Sequence, residues 1–352
     1  MHDDHEGLEP RAFSGDRVLD LPVRPRRNRK HPAIRAFARE TWLGPEHFIL
    51  PLFFHADRGA VDIASMPGCQ RHDLPSLLRA CEGALEVGVG SVVLFPRVDD
   101  ALKSETGTEA WNDDGLVQRT VRAIKARFPE LVVITDVALD PYSSWGHDGL
   151  VGDDGTILND ATVEALCLQA ASHAAAGADI VAPSDMMDGR IGAIRAALDD
   201  EDFSEVSILA YTAKYASAFY GPFRDALDSA PRTGGHAPAD KKTYQMDPAN
   251  AREALRELSL DENEGADMVM VKPAGPYLDI IAKVRAATTL PVAAYQVSGE
   301  YAMLKAASRN GWLDERKVVL ESLLGIRRAG ADMILSYYAV DAARWLLQDR
   351  RG

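Results

Sequence analysis

A lysine closing a wholly apolar run is the first place in this sequence where chemistry can be read. Met268-Val-Met-Val-Lys272-Pro puts an amine directly after four apolar residues. Desolvation there lowers the lysine pKa and leaves a neutral amine able to attack a carbonyl. A second amine follows another apolar run, in Tyr211-Thr-Ala-Lys214-Tyr-Ala-Ser. Either lysine alone reads most simply as a snorkelling surface group. If both face one cavity, each cation depresses the other, and a pair of carbonyl-attacking amines becomes the stronger reading. Asp136 ends a further apolar run, where a carboxylate beside two amines would orient a substrate amine or take a proton; its plain alternative is a turn aspartate. Ser184, Tyr211, Ser298 and Tyr337 add hydroxyls at the ends of other runs.

Those ends belong to a repeated theme. From residue 48 onward, short β-branched or aromatic runs alternate with longer amphipathic stretches, the pattern of a parallel sheet with crossover helices. The eight runs span residues 48–54, 91–96, 131–139, 180–184, 207–212, 268–273, 291–297 and 333–339. Most are continuously apolar, as expected of strands buried on both faces. Gly177-Ala-Asp179, Gly265-Ala-Asp267 and Gly330-Ala-Asp332 mark three helix-to-strand turns. The count predicts a (β/α)8 TIM barrel, an α/β fold, with an open doubly wound sheet as the weaker alternative. In a barrel the C-terminal strand ends carry the active site, and Lys214 falls just past the fifth strand. No glycine-rich phosphate loop follows the first strand, which lowers the nucleotide-binding reading.

Two irregular segments flank this pattern. Residues 24–32 (RPRRNRKHP) are basic, proline-bearing and unable to fold alone. A nucleic-acid tail is one reading; an arm packed on another subunit fits the acidic remainder better. Residues 1–40 are therefore read as tail and intersubunit arm, and residues 41–352 as the catalytic barrel. Residues 228–240 (DSAPRTGGHAPAD) interrupt the unit after the fifth run. A lid over about residues 220–245 is expected there, the alternative being a tolerated surface insertion.

The 39 basic and 53 acidic residues leave a net charge of −14, which argues against broad attraction to nucleic acid or anionic lipid. The N-terminus is acidic and lacks the apolar run of a signal peptide, and no segment approaches a membrane span. A cytoplasmic location is the expectation. Cys69, Cys81 and Cys167 form no C-x-x-C pair, so they suggest neither a disulfide framework nor a thiolate metal site. Cys81 and Cys167 read as small core residues in helices, and Cys69 as part of a Pro-Gly turn.

The segment from Gly265 through Lys272 to Tyr277 (GADMVMVKPAGPY) resembles the signature of the 5-aminolevulinate dehydratase (porphobilinogen synthase) family around its Schiff-base lysine. YTAKYASAFYGPFR, from Tyr211 to Arg224, is similar to the family's second lysine region. The likeness continues through DMMDGR (185–190), YQMDP (244–248), YQVSGEY (295–301) and SYY (336–338), and covers nearly everything from about Pro25 onward. It implies condensation of two molecules of 5-aminolevulinate to porphobilinogen in haem and other tetrapyrrole biosynthesis. Lys272 would hold the substrate contributing the propionate side and Lys214 the one contributing the acetate side. Arg224 and Lys241 match positions for one substrate carboxylate, Ser298 and Tyr337 those for the other. Ser184, Tyr211 and Gln245 complete the implied substrate contacts. A homo-octamer is implied, with a hexamer in some members.

The resemblance breaks at a metal site. Zinc-using members carry three cysteines where this chain has Ala138, Asp140 and Asp148, and an alanine with two carboxylates is no soft zinc site. No catalytic zinc is expected. Asp140 and Asp148 are weighed as oxygen ligands of magnesium or an alkali cation, and His147 as a nitrogen that would complete a mixed site. Glu253 matches the family position for an allosteric Mg2+, its alternative being a solvated helix glutamate. Two rival functions stand beside the resemblance. A one-lysine class I aldolase is disfavoured by Lys214 with its Arg224 and Lys241. A barrel that has lost catalysis is disfavoured by the retention of every matched position.

Overall fold

Short apolar runs separated by amphipathic stretches close into a barrel in the computed structural model, which describes residues 21–228 and 236–351. β1 (Phe48–Phe54), β2 (Ser91–Pro96), β3 (Val132–Val137), β4 (Ile180–Pro183), β5 (Ser207–Lys214), β6 (Met268–Lys272), β7 (Val292–Gln296) and β8 (Met333–Ser336) lie side by side in chain order. β8 returns to pair in parallel with β1, Phe48 opposite Ile334 and Ile49 opposite Leu335. The sheet is thus a closed barrel, and the open doubly wound alternative falls. A small ribbon, Val61–Asp62 with Gln70–His72, is attached beside the end of β1.

The helices are α1 (Pro32–Phe37), α2 (Leu74–Glu86), α3 (Leu116–Arg127), α4 (Asn159–Ala175), α5 (Arg190–Asp200), α6 (Gly221–Leu227), α7 (Glu253–Asn263), α8 (Leu278–Ala287), α9 (Ser298–Arg309), α10 (Glu315–Ala329) and α11 (Ala339–Arg351). Their starts follow local chemistry. Asp73 accepts from Ser76 N to open α2, and Asp314 accepts from Lys317 N to open α10. Buried residues then recur three or four apart, Leu77, Cys81 and Ala84 on α2 and Val319, Leu323 and Ile326 on α10, which turns one stripe toward the barrel.

The repeated Gly-Ala-Asp phrase fixes register at the other end. Gly177, Gly265 and Gly330 have φ of 102°, 98° and 123°, a region glycine enters without a Cβ penalty. Each following aspartate then reaches the preceding strand. The carboxylates of Asp179, Asp267 and Asp332 accept from the backbone N–H of Val133, Ile208 and Val292 at 2.8, 2.7 and 3.0 Å.

Six of the eight strands end at a different residue from the one the sequence suggested, and three of these shifts move a site residue most. β5 runs on to Lys214, so that lysine lies in the strand rather than past it. β8 stops at Ser336, because the Ser336 hydroxyl accepts from Tyr338 N and bends the chain, and Tyr337 follows the strand. β7 stops at Gln296, and Ser298 is the first residue of α9. Cys81 is buried as expected, whereas Cys167, in α4, is only half-buried where it packs against the core.

The chain divides into two units, Met1–Glu40 and Thr41–Gly352. In the first, a 3-10 turn at Pro25–Arg29 precedes α1, whose N-terminus is capped by His31, and neither buries a residue. The second holds the barrel. Of the expected lid, the described part is a 3-10 turn at Ala218–Tyr220 with α6, and the stretch from residue 236 that carries Lys241 and Gln245. Residues 1–20 and 229–235 lie outside the described residues.

Candidate active site

Lys214 and Lys272 are partners in the β5–β6 ladder. Ala210 pairs with Val269 and Ala213 with Val271, so β5 spends three steps where β6 spends two. That extra residue is a bulge, and it resets which face the residues beyond it present. Both lysine side chains then line one pocket, with Asp136, Asp140, Asp148, Ser184, Tyr220, Phe223, Arg224, Lys241 and Gln245.

The amines are buried in different surroundings. Among the described residues no hydrogen bond reaches Lys272 Nζ, which lies over the rings of Tyr211, Tyr220, Phe223 and Tyr295 at 5.2, 5.2, 4.9 and 4.6 Å from their centroids. Burial, followed by the Lys214 charge, lowers its pKa to about 7, against the pull of Asp136, Asp148 and Asp140. Lys214 Nζ instead donates to the Ser184 carbonyl and, at 3.4 Å, to Asp148 Oδ2.

Lys241 is no solvated charge. Its Nζ lies 3.0 Å from Asp148 Oδ1 and 3.3 Å from Asp140 Oδ2, and all three groups are buried. Burial opposes the ammonium, but Asp140 and Asp148 outweigh it and raise the Lys241 pKa. Burial likewise opposes the Asp148 carboxylate, yet Lys214 and Lys241 hold it well below the usual range. Asp140 goes the other way: burial, with Asp148 beside it, outweighs Lys241 and Lys214 and raises it. Asp136 is pushed up to about 7 by enclosure and by Asp140, against the two lysines and the Ser184 hydroxyl.

The remaining predicted residues are spread wider: Ser184, Arg224 and Gln245 line this pocket, whereas Tyr337 lines a separate cavity with Phe53 and Cys69. Gln245 Nε2 approaches Asp148 Oδ2 at 3.4 Å, while its Oε1 is buried without a partner among the described residues. The Tyr211 hydroxyl is likewise buried and unpartnered among them. Ser298 Oγ accepts from Phe223 N at 3.0 Å, tying α9 to α6, and the Tyr337 and Tyr295 hydroxyls are 2.8 Å apart. Glu253 stands elsewhere, in a cavity of about 680 Å³ walled by Asp188, Arg190, Arg256, Glu257 and Glu264. Its carboxylate accepts from Asn250 Nδ2 at 2.9 Å.

A metal fits these positions unequally. Lysine ammoniums stand against Asp140 and Asp148, and His147 is committed through Nδ1 to the Tyr244 hydroxyl at 3.0 Å and through Nε2 to the Pro238 carbonyl at 2.9 Å. The mixed nitrogen and oxygen site is therefore not assembled. Among the described residues no three His, Cys, Asp or Glu come together as a metal-holding group.

Tyr220, Phe223 and Tyr295 were not singled out by sequence reasoning. The aromatic density of Phe219-Tyr-Gly-Pro-Phe223 so soon after Lys214 was the available signal.

A sequence model described as delta-aminolevulinic acid dehydratase matches residues 22–345. The chain belongs to that family. The chloroplastic delta-aminolevulinic acid dehydratase of Physcomitrium patens is 62% identical over 333 residues, 94% of this chain and 76% of its own. That of Glycine max is 59% identical over 95% of this chain and 80% of its own. The solved delta-aminolevulinic acid dehydratase (porphobilinogen synthase) of Toxoplasma gondii ME49, in complex with the reaction product porphobilinogen, superposes with a TM-score of 0.93. It is 54% identical and covers 95% of this chain and 94% of its own. The relatives' names correct the cytoplasmic expectation, since they are those of chloroplastic proteins. An apolar run marks secretory signals, so its lack carries no weight against a plastid, whose transit peptides are amphipathic. No helix among the described residues is long and apolar enough to cross a membrane.

Proposed function

We propose that this dehydratase condenses two molecules of 5-aminolevulinate to porphobilinogen, with loss of water, through imines on Lys272 and Lys214. Family membership supports the overall reaction, and one observation carries the assignment of the amines: two buried lysines, partners in register, line a single pocket. With its pKa near 7, Lys272 has a substantial neutral fraction at neutral pH, the form that attacks a ketone. It holds the substrate contributing the propionate side, and Lys214 the one contributing the acetate side. Asp136, also near 7, exchanges protons with the substrate amine at the pH where the amines work.

Arg224 and Lys241 receive the carboxylate of the substrate on Lys214, with the Lys241 charge shared between that carboxylate and its two aspartates. Ser298 and Tyr337 receive the other carboxylate, while Ser184 and Gln245 line the remaining walls and the Tyr211 ring stands beside Lys272. The buried, unpartnered Tyr211 hydroxyl and Gln245 Oε1 support this, because such groups call for a hydrogen-bond partner.

Mg2+ at Glu253 belongs to the same reading, as a regulatory ion away from the lysines. One carboxylate with waters suits magnesium, and Asp188 on the same cavity wall is a further carboxylate, beside Arg190, Arg252 and Arg256. A homo-octamer built with the N-terminal arm is proposed as well. Its support is the basic 24–32 segment and a Phe37 side chain that is 87% exposed. Deleting residues 1–32 then yields smaller particles in light scattering; a mass reduced only by the deleted residues sinks the arm.

The test of the reaction is direct. Purified protein incubated with 5-aminolevulinate gives porphobilinogen by its colour reaction, and borohydride added with substrate leaves a reduced adduct on the Lys272 peptide. No product and no adduct would overturn the assignment.

A further inference from the structure

Resting on the Schiff-base reading, we propose that Tyr211, Tyr220, Phe223 and Tyr295 form a cation–π cage that favours the charged iminium on Lys272 over the free amine, with Phe223 a catalytic residue for imine formation.

The geometry is that of a built site. Each ring centroid lies within 5.2 Å of Nζ, and the rings come from four separate elements, β5, the Ala218–Tyr220 turn, α6 and β7. Their outer contacts hold them in place. Phe223 meets Phe95 and Phe53 edge-on, with centroids 5.1 and 5.5 Å apart. Tyr295 stacks on Phe95 at 6.2 Å and shares a hydrogen bond with Tyr337, and the Tyr220 hydroxyl donates to the Lys272 carbonyl at 3.2 Å. The cage therefore precedes the charge that it serves.

From the neutral amine, iminium formation adds a positive charge that the ring faces attract; from the ammonium it conserves charge, and there the cage acts through the shape of the cation. The ammonium and the ketone give the iminium and water: a nitrogen–carbon bond forms, the carbonyl bond breaks, and the oxygen leaves with two of the ammonium protons. The third proton stays on nitrogen. An ammonium needs acceptors for three N–H groups, and no hydrogen bond to Lys272 Nζ exists among the described residues. An iminium has one N–H and spreads its charge over carbon, so it loses less in a pocket of ring faces. The ring quadrupoles still attract the positive charge. The difference between the two cations is the catalytic contribution.

The experiment weakens the quadrupole at constant shape. Phe223 is replaced by mono-, di- and trifluorophenylalanine in the full chain. Borohydride trapping on the Lys272 peptide is then measured by mass spectrometry with 4-oxopentanoate, the substrate skeleton without its amine, so that condensation cannot follow. At pH 9, where free Lys272 is neutral and the iminium brings a new positive charge among the rings, the trapped fraction at subsaturating ligand is expected to fall stepwise with each fluorine, about tenfold over the series. Cyclohexylalanine at 223, which keeps bulk and has no π face, is expected to fall below the trifluoro variant. A trapped fraction that is flat across the series and unchanged by cyclohexylalanine would overturn the cage while leaving the Schiff base standing. Absence of any adduct in the parent protein overturns both.

Discussion

Lys214 and Lys272 face each other across one strand ladder, yet the two halves of the pocket treat an amine in opposite ways. The Lys272 half is aromatic: four rings surround Nζ, and the pKa falls to about 7. The Lys214 half is ionic, with the Ser184 carbonyl and Asp148 on Nζ and with Lys241 and Asp140 extending the cluster. The strands bring two identical side chains to one place and supply Tyr211 and Tyr295, and the segments after the strands complete the electrostatics. Asp148 lies in the connection after β3, and Tyr220 and Phe223 in the connection after β5. Two copies of one substrate can thus meet two differently prepared amines.

The most severe test of that division is Lys272→Met. Turnover is expected to fall on the order of 10³-fold or more, as when a covalent nucleophile is removed, and steady-state assay together with loss of the borohydride adduct measures it. Retained turnover with no adduct would mean that the aromatic half is not where the imine forms.

Next comes Asp148→Asn, which strips the ionic half of its shared carboxylate and leaves two buried ammoniums poorly compensated. Breaking a buried pair in this way costs about 3–5 kcal/mol of stability, read from urea or guanidinium denaturation. A change below about 1 kcal/mol would put the pair in the class of exposed ion pairs.

The third test moves a midpoint. Lys214 is the second contributor to the lowered pKa of Lys272, after burial. Lys214→Met removes that like charge, so the Lys272 pKa rises and trapping with 4-oxopentanoate becomes dependent on a higher pH, by roughly one unit. An unmoved profile would show the two halves to be electrostatically separate.

The same lysine leaves a signature in stability. Its folded pKa near 7 lies below the unfolded value of about 10.4, so between those values the unfolded chain holds a proton that the native one has lost. Stability from this group therefore rises with pH from about 7 to about 10 and is least below 7. Denaturation of Lys272→Met beside the parent at pH 7 and pH 9 isolates the term, as a pH-dependent gain in the parent that the variant lacks.

The smallest effect lies outside the lysine pocket. Activity is expected to survive a zinc-selective chelator, and Mg2+ added to metal-free protein is expected to stimulate turnover modestly, a response that Glu253→Ala abolishes. Stoichiometric zinc, with activity restored by zinc alone, would overturn the metal reading.

By itself the sequence determined the architecture and the chemical class of the site. Apolar runs at regular spacing suit strands buried on both faces, and the Gly-Ala-Asp turns recur because each aspartate closes onto the strand before it. Lys272 stood out because a charged group rarely ends so apolar a run, and Lys214 through its motif. What the tertiary structure alone decided is how these groups face one another. A one-residue bulge in β5 sets the register of the lysines, and a bulge is a property of the pair of strands that neither strand's sequence displays. Lys241 and Asp148 are 93 residues apart in sequence, and their pairing depends on two connections meeting above the barrel. The rings around Lys272 were equally hidden, because an aromatic residue looks the same in sequence whether it packs on the core or on a charge, and only the closure of the barrel brings β5, β7 and α6 around one nitrogen.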